Sequence, residues 1–335
     1  MNKYLFFRTD RIGDFLLSSI LLNSIKRNDP KAYCSVVCSD MNYDYVKNFH
    51  LVDEAILFPK KNIFKRIRFY FLIFLKKNYC TIVCDGKKKS IFCAILIKSK
   101  IKILFCTKNI YSFLFKFFFD KILLDSKAES KISEICHVIN YLNFKYDDKD
   151  LHSIKINSNK EFYKNKNFNV INQSSFNLFH LDEKWIFNSY IKSYKNIEPS
   201  IYELRQFISE LIFISKKNLI ITCGAQKNIL ISALVKDFTF LSHNTYFKKI
   251  NSHTIFLFTD LNFFELEYIV SKSKILIASH GSISHVAASF GTRIIDIIDD
   301  SETISFSKWS NHFKNYKKIF RKNFNLLQKD IFKSL

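Results

Sequence analysis

The stretch "RTDRIGDFLLSSILLNSIKRNDPKAYCSVVC", Arg8 to Cys38, decides how the first half of the chain reads. Ahead of it, "KYLFF" (Lys3 to Phe7) has the short apolar, aromatic run of a strand. From Asp14 to Asn28 apolar residues recur at helical spacing, Leu16 with Ile20 and Leu17 with Leu21, until the segment runs out in Lys26, Arg27 and Asp29-Pro30. Ala32 to Cys38 follows as the next strand. Strand, helix and strand in that order form a βαβ unit, the beginning of a parallel sheet.

Gly13, one of five glycines in 335 residues, is expected to make the sharp turn between strand and helix. Asp14 is then expected to be the N-cap, ionised, with its carboxylate at the carboxyl end of the strand. Pattern leaves two roles open for that carboxylate: helix cap, and base for the proton of a sugar hydroxyl.

Further strands are expected at Glu54 to Phe58, Cys80 to Asp85, Ile101 to Phe105 and Lys121 to Leu124, then a helix carrying Ile132, Ile135, Val138, Ile139 and Leu142. A polar stretch, "KYDDKDLHSIKINSNKEFYKNKNFN", leads to a domain boundary placed between residues 170 and 171. The rhythm restarts with "FNLFHL" from Phe176, a helix near Pro199 to Ile214, "NLIITC", a helix after Gln226, "TIFLF", a helix from Asn262 to Ser271, and "KILIAS". Residues 1–170 and 171–312 thus read as two successive α/β domains, and the basic tail 313–335 as a helix.

Composition agrees with two cores of roughly 150 residues each, since a hydrophobic content of 48% with 37 Phe and 16 Tyr excludes global disorder. Lys and Arg outnumber Asp and Glu by 52 to 30, and a formal charge of +22 concentrates anionic partners. The joint enrichment of Lys, Asn, Ile and Phe explains that charge equally well as a coding bias. Nucleic acid is not the expected partner, because no helix-turn-helix, RNA-recognition or zinc signature is present and the charge is spread along the chain.

Eight cysteines lie mostly in apolar runs, and the pairs Cys34/Cys38 and Cys80/Cys84 match neither the redox CxxC spacing nor a tight zinc repeat. Free, buried thiols in a reducing, cytoplasmic setting are expected. The amino terminus meets charge before a signal-peptide core is complete, and "FYFLIFL" and "FLFKFFF" fall far short of the ~20 residues of a membrane span. "KKNIFKRIRFYFLIFLKK", Lys60 to Lys77, fits a buried amphipathic helix more simply than a basic, aromatic helix on an anionic membrane surface; both readings stay open.

In the second half, "KILIASHGSISHVAASFGTRIIDIID" (Lys274 to Asp299) runs a strand into Ser279-His280-Gly281-Ser282. A short helix follows with Ile283, Val286, Ala287 and Phe290 on one face, ended by Gly291 before another strand. Such a turn presents backbone N–H groups at a helix start on the carboxyl edge of a parallel sheet, where α/β proteins bind phosphates. Ser282 fits an N-cap and His285 a polar first-turn residue as well as either fits a ligand, and two histidines five apart with no carboxylate nearby in sequence make no metal site. Lys184, in "FHLDEKW" at the end of the first strand of this half, has the reach to meet a diphosphate.

Together these segments resemble the bacterial heptosyltransferase family, glycosyltransferase family 9. "RTDRIGDFLLSSILLNSIKRNDPKA" is similar to its opening strand, Arg-x-Asp-Arg-Ile-Gly-Asp-like turn and helix ending before a Pro. "ILIASHGSISHVAASFGTRIIDI" is similar to its donor motif, a strand, an Asp-Thr/Ser-Gly turn and x-x-His-x-Ala-Ala; the "GAQ" turn after "NLIIT" also fits, whereas residues 60–150 match in rhythm alone. The resemblance implies a GT-B architecture: two Rossmann-like α/β domains with parallel sheets facing an interdomain cleft, acceptor mainly on the first and nucleotide-sugar donor mainly on the second. A C-terminal helix would pack back on the first domain.

The same resemblance implies an inverting, metal-independent glycosyltransferase without a cofactor. By family default it would move heptose from ADP-heptose to an anionic, lipid-linked glycan such as a lipopolysaccharide core, at the inner leaflet of the inner membrane. Carried over, Asp14 matches the catalytic base, Arg8, Arg11 and Gly13 fall on the acceptor side, and Lys184, Gly224, Ala225, Asn228, His280, Gly281, Ser282 and His285 on the donor side. His280, Gly281 and Ser282 stand where the family usually has Asp, Thr or Ser, and Gly; Asn228 stands near the usual place of a ribose-contacting acidic residue. Two other readings stay open: a GT-B nucleotide-sugar epimerase, which needs further cleft carboxylates, and a degenerate member that binds without catalysing.

Overall fold

The computed structural model describes residues 1–60, 62–106, 113–124, 130–147, 175–224, 226 and 228–335. The chain forms two compact units, Met1–Ser158 and Asn159–Leu335. The boundary expected between residues 170 and 171 lies outside the described residues.

The first unit runs β1 (Lys3–Phe7), α1 (Ile12–Asn28), β2 (Tyr33–Cys38), α2 (Tyr43–Lys47), β3 (Glu54–Leu57), α3 (Ile63–Leu75), β4 (Lys77–Val83), α4 (Lys88–Leu96), β5 (Lys98–Cys106), β6 (Lys121–Leu124) and α5 (Lys131–Tyr141). Its strands are all parallel, in the order β3-β2-β1-β4-β5-β6. Tyr4, Leu5, Phe6 and Phe7 of β1 are each at most 2% exposed, because helices on both faces of a parallel sheet leave its central strand no wet side. Right-handed crossovers put α1 and α2 on one face and α3 and α4 on the other, where Phe69, Ile73, Ile91 and Ala94 pack on Leu5, Phe7, Val83 and Leu104. The chain leaves β1 for β2 and β3 and returns past it to β4, so the carboxyl ends of β1 and β4 flank the point where the strand order reverses. Open α/β sheets bind ligands at that point.

The second unit runs β7 (Phe176–Leu181), α6 (Ile201–Ser215), β8 (Asn218–Cys223), α7 (Ile229–Val235), β9 (Thr239–Ser242), β10 (Thr245–Ile250), β11 (His253–Phe258), α8 (Phe263–Lys272), β12 (Ile275–Ser279), α9 (Ser282–Ser289), β13 (Arg293–Ile298), α10 (Thr303–Ser310), β14 (Tyr316–Phe320) and α11 (Phe324–Phe332). The order β14-β13-β12-β7-β8-β11-β10-β9 is parallel from β14 to β11 and antiparallel at the β10 and β9 edge. Here the reversal falls between β7 and β12, which are hydrogen-bonded neighbours.

Three expectations need correcting. Helix α1 begins at Ile12, so Arg11 is its N-cap and Asp14 is the third helical residue, whose Oδ2 accepts the Arg11 N–H at 3.2 Å. Gly13 lies inside that first turn, and among the glycines positive φ angles occur at Gly86 and Gly291 instead, so the strand-to-helix turn is made by ordinary backbone at Arg8 to Arg11. The tail is not one helix: β14 extends the sheet, and Phe324, Leu327 and Ile331 of α11 lie in the second unit's own core, with Phe324 and Phe332 rings 5.6 and 5.4 Å from Phe207.

The cysteines are free thiols, as expected, and burial pushes Cys34 and Cys38 up to about 12, which makes them packing groups rather than nucleophiles. Among the described residues no helix is long and apolar enough to cross a membrane.

Candidate functional site

In the second unit the chain leaves β12 at Ser279 and enters α9 through His280 and Gly281, so Gly281, not Ser282, occupies the N-cap position. Asp296, in the middle of β13 and fully buried, pins this turn. Its Oδ2 accepts from His280 Nδ1 at 2.5 Å and from the Tyr316 hydroxyl at 3.1 Å, and its Oδ1 accepts from the Ser284 hydroxyl at 2.8 Å. Three donors are what a carboxylate cut off from water requires. The carboxylate absent from the sequence neighbourhood of the histidines is thus supplied by the next strand.

His285, 3% exposed, packs among His280, His312 and Phe313 at ring distances of 5.6, 5.7 and 5.2 Å. Burial, reinforced by the charges of His280 and His312, holds its pKa well below the ordinary 6.5, so the ring is neutral at physiological pH. Among the described residues its Nδ1 has no hydrogen-bond partner.

At the end of β7, Asp182 Oδ1 accepts the Lys184 N–H at 3.1 Å and folds the chain back in a single 3-10 turn. Lys184 Nζ then lies 3.2 Å from Asp182 Oδ2 and donates to the His280 carbonyl at 2.6 Å, joining the two strand ends that flank the reversal. The ammonium comes within 5.4 Å of the Tyr190 ring centroid. A Cβ on Gly281 would lie 2.7 Å from Nζ, so the glycine is there for the lysine's approach. Gly281→Ala is expected to push the ammonium aside and weaken binding of pyrophosphate at this turn by about fivefold, the loss of roughly one hydrogen bond, with the urea midpoint unchanged. Isothermal titration of the wild type and the variant checks it.

The turn after β8 makes a similar approach: a Cβ on Gly224 would lie 2.7 Å from Glu183 Oε2. Ala225 lies outside the described residues. Asn228, carried over as a ribose contact, is 4% exposed and turned inward. Its Oδ1 caps α7 at Leu230 N (2.9 Å) and its Nδ2 donates to the Leu181 and Asp182 carbonyls (3.0 and 3.2 Å). That amide is fully spent on holding the β7 turn against α7. Asn228→Ala is expected to cost about 1–2 kcal/mol in a urea melt, through the lost cap and two stranded carbonyls.

In the first unit, the Arg8 guanidinium is a strut. Nε donates to Ser18 Oγ at 2.8 Å and NH1 donates to Asp10 Oδ2 and to the Cys84 carbonyl, both at 3.0 Å. Arg11 is exposed. Asp14 sits beside the Arg8 and Asp10 pair; burial first, and the Asp10 charge second, raise its pKa above the ordinary 3.8, against the pull of Arg8. An N-cap role had implied the opposite direction. Asp10 Oδ1 is buried with no partner among the described residues.

Two features escaped sequence reasoning. Asp85, at the end of β4, accepts from Thr9 N (3.1 Å), Thr9 Oγ1 (2.6 Å) and Ser90 Oγ (2.8 Å), and Lys87 Nζ donates to the Thr9 carbonyl at 2.8 Å. This network clamps the β1 turn as Asp296 clamps the β12 turn. A signal was available in each case: "TIVCDGKKKS" is a strand running into a turn and a helix, and Asp296 interrupts the apolar strand "RIIDII". Among the described residues, no group of three or more His, Cys, Asp or Glu is placed to hold a metal ion.

No protein-family model matches the chain, and no curated protein does. Solved structures do. The glycosyl transferase family 9 protein of Veillonella parvula DSM 2008 is similar at a TM-score of 0.71 and 14% identity, over 99% of this chain and 88% of that one. An E. coli heptosyltransferase solved with ADP-2-deoxy-2-fluoro heptose follows at 0.69 and 11%, over 99% and 100%. The UDP-GlcNAc 2-epimerase of Methanocaldococcus jannaschii aligns at 0.59 and 10%, over 100% and 92%. At such identities the likeness is one of fold, and the fold is GT-B, two α/β domains built on parallel sheets.

Proposed function

We propose that this chain is an inverting glycosyltransferase that uses a nucleotide-sugar donor. The observation that carries the reading is the pairing, at the β7 and β12 reversal, of the Lys184 ammonium with the start of α9, which together suit a diphosphate. The E. coli heptosyltransferase of the same fold was solved with an ADP-sugar analogue, which makes ADP-heptose the first donor to test. The proposed acceptor is an anionic, lipid-linked glycan, and the proposed setting the cytoplasmic face of a membrane.

In the proposed step Asp14 takes the proton of an acceptor hydroxyl, the oxygen attacks the anomeric carbon from the face opposite the diphosphate, and the bond from that carbon to the diphosphate oxygen breaks. Lys184 and the N–H groups of Ser282 and Ile283, which have no carbonyl partner within their own helix, meet the charge that grows on the leaving group. Neutral His285 offers a hydrogen bond without adding charge. The step is metal-independent in this reading, so turnover in excess EDTA is expected to equal turnover in its absence.

A thermal-shift panel of ADP-, GDP-, UDP- and CMP-sugars tests the reading, because a ligand held by the folded state alone raises apparent stability with occupancy. A shift with one nucleotide class is expected; silence across the panel sinks the proposal. The raised pKa of Asp14 gives the rate an acid limb at higher pH than an unperturbed aspartate would, since the base must be ionised to work. Asp10→Asn removes a neighbouring negative charge and is expected to move that limb to lower pH, read in a pH–rate profile.

A nucleotide-sugar epimerase is the second reading, favoured by the carboxylate of Asp10 beside Asp14 and by the shared fold with the epimerase. Product analysis separates them: an epimerised nucleotide-sugar formed without acceptor supports the epimerase.

A further inference from the structure

Helix α3 buries only Phe69 and Ile73. Opposite them, Phe64, Ile67, Phe71 and Leu75 recur at the three- and four-residue spacing of one helical stripe and are 78, 60, 62 and 58% exposed. The expectation that this segment is simplest as a buried helix therefore fails: it is apolar on both sides, one side serving the core and the other facing out. Residues 113–120, which lead into β6, lie on the same face of the sheet, where Phe119 joins the buried cluster of Phe69 and Ile73. Just before it, Phe113 and Phe117 are 69 and 83% exposed.

Single exposed apolar residues need no explanation, but a stripe continued by a second element does. Around the stripe cations predominate, although Lys76 is paired with Glu54 and Lys60 with Asp40, each at 2.6 Å. Lys65, Arg66, Arg68, Lys76 and Lys77 belong to α3 or its carboxyl end and Lys116 to the second element, whose ammonium lies 5.1 and 5.0 Å from the Phe113 and Phe117 rings. From Lys60 to Lys77 there is no acidic residue. At about 1.5 Å per residue a helix of 13 residues is roughly 20 Å long, too short to cross a bilayer and long enough to lie along one.

We infer that this face of the first unit docks on an anionic phospholipid surface, with the aromatic stripe in the headgroup boundary and the cations on the lipid phosphates. Aromatic and aliphatic side chains ringed by Lys and Arg are the composition that binds in the plane of such an interface. A soluble protein partner of complementary shape would need acidic residues against this ring, and a second copy of the chain would bring like charge against like. Docking does not require sugar transfer, so it stands or falls apart from the proposed activity.

The experiment is co-sedimentation of the full chain with vesicles of phosphatidylglycerol and phosphatidylethanolamine, against pure phosphatidylcholine, at moderate salt. Retention on the anionic vesicles is expected, falling by about tenfold or more in Phe64→Glu/Phe71→Glu and unchanged in Phe213→Glu, a control at a residue 79% exposed on another helix. Melting temperatures without ligand should be equal in all three proteins, which confirms that the variants fold and keeps the test independent of donor binding. Three results overturn the inference: no retention of the wild type on anionic vesicles, equal retention of the double variant, or a wild-type dimer in sedimentation velocity that the double variant abolishes while neither binds lipid.

Discussion

Asp14→Asn is expected to lower the transfer rate by about 10²–10⁴-fold, the range that a positioned general base contributes, while the donor-induced thermal shift stays as in the wild type. The isostere keeps the shape of the side chain and removes its capacity to take a proton. Stability supplies a second, independent sign. Folding raises the Asp14 pKa above 3.8, mainly by burial and then by Asp10. A raised acid contributes stability below its unfolded pKa and loses it as pH rises through the folded value, so at neutral pH the ionised carboxylate is a cost to the fold. The variant removes that cost, and its melting temperature at neutral pH should hold or rise as turnover collapses. A structural cap behaves the other way, losing stability with turnover little changed, and that pair of results would remove Asp14 from the chemistry.

Asp296→Ala is expected to destabilise the chain by about 3–5 kcal/mol, the cost of breaking up a buried charged or hydrogen-bonded group by deleting one side of it. The deletion strands the buried His280 Nδ1 and Ser284 hydroxyl and takes one partner from the part-buried Tyr316 hydroxyl. Those groups belong to the β12 turn, the first turn of α9 and β14, so the local consequence is a loosening of the proposed anion site. Urea melts measure the first effect. The second appears as pyrophosphate affinity falling further than in Gly281→Ala, measured below the unfolding transition. A loss under about 1 kcal/mol would mean that the turn is held by its backbone alone.

Most of the architecture was legible because its signals are local. Strands such as "FNLFHL" and "NLIITC" appear at their expected bounds, since buried parallel strands are written as continuous apolar runs. The exposed β9 and β10 pair had no such run and went unforeseen. In the tail, "YKKIF" and the α11 residues read as one basic helix because Lys is compatible with either structure; only the open edge of the sheet beside β13 makes the first part a strand. Helix α3 shows the same limit, since its apolar content is plain in sequence while the choice of inward face belongs to the sheet beneath it.

For the candidate site, the sequence by itself determined which segments stand at the strands' carboxyl ends: a charged turn after β1, a lysine after β7 and a His-Gly-Ser turn after β12. Strand order alone placed the first beside the β1 and β4 reversal and joined the other two at the β7 and β12 reversal. Tertiary structure also decided which side chains are free to act. Arg8 and Asn228 look like ligand contacts in sequence, yet Nε and NH1 of the first are engaged by Ser18, Asp10 and Cys84, and the amide of the second by Leu181, Asp182 and Leu230. The sign of the Asp14 shift was decided the same way. A helix start lowers a carboxylate's pKa, and what reversed it here, burial and a second aspartate held close by Arg8, comes from packing that residue spacing does not encode.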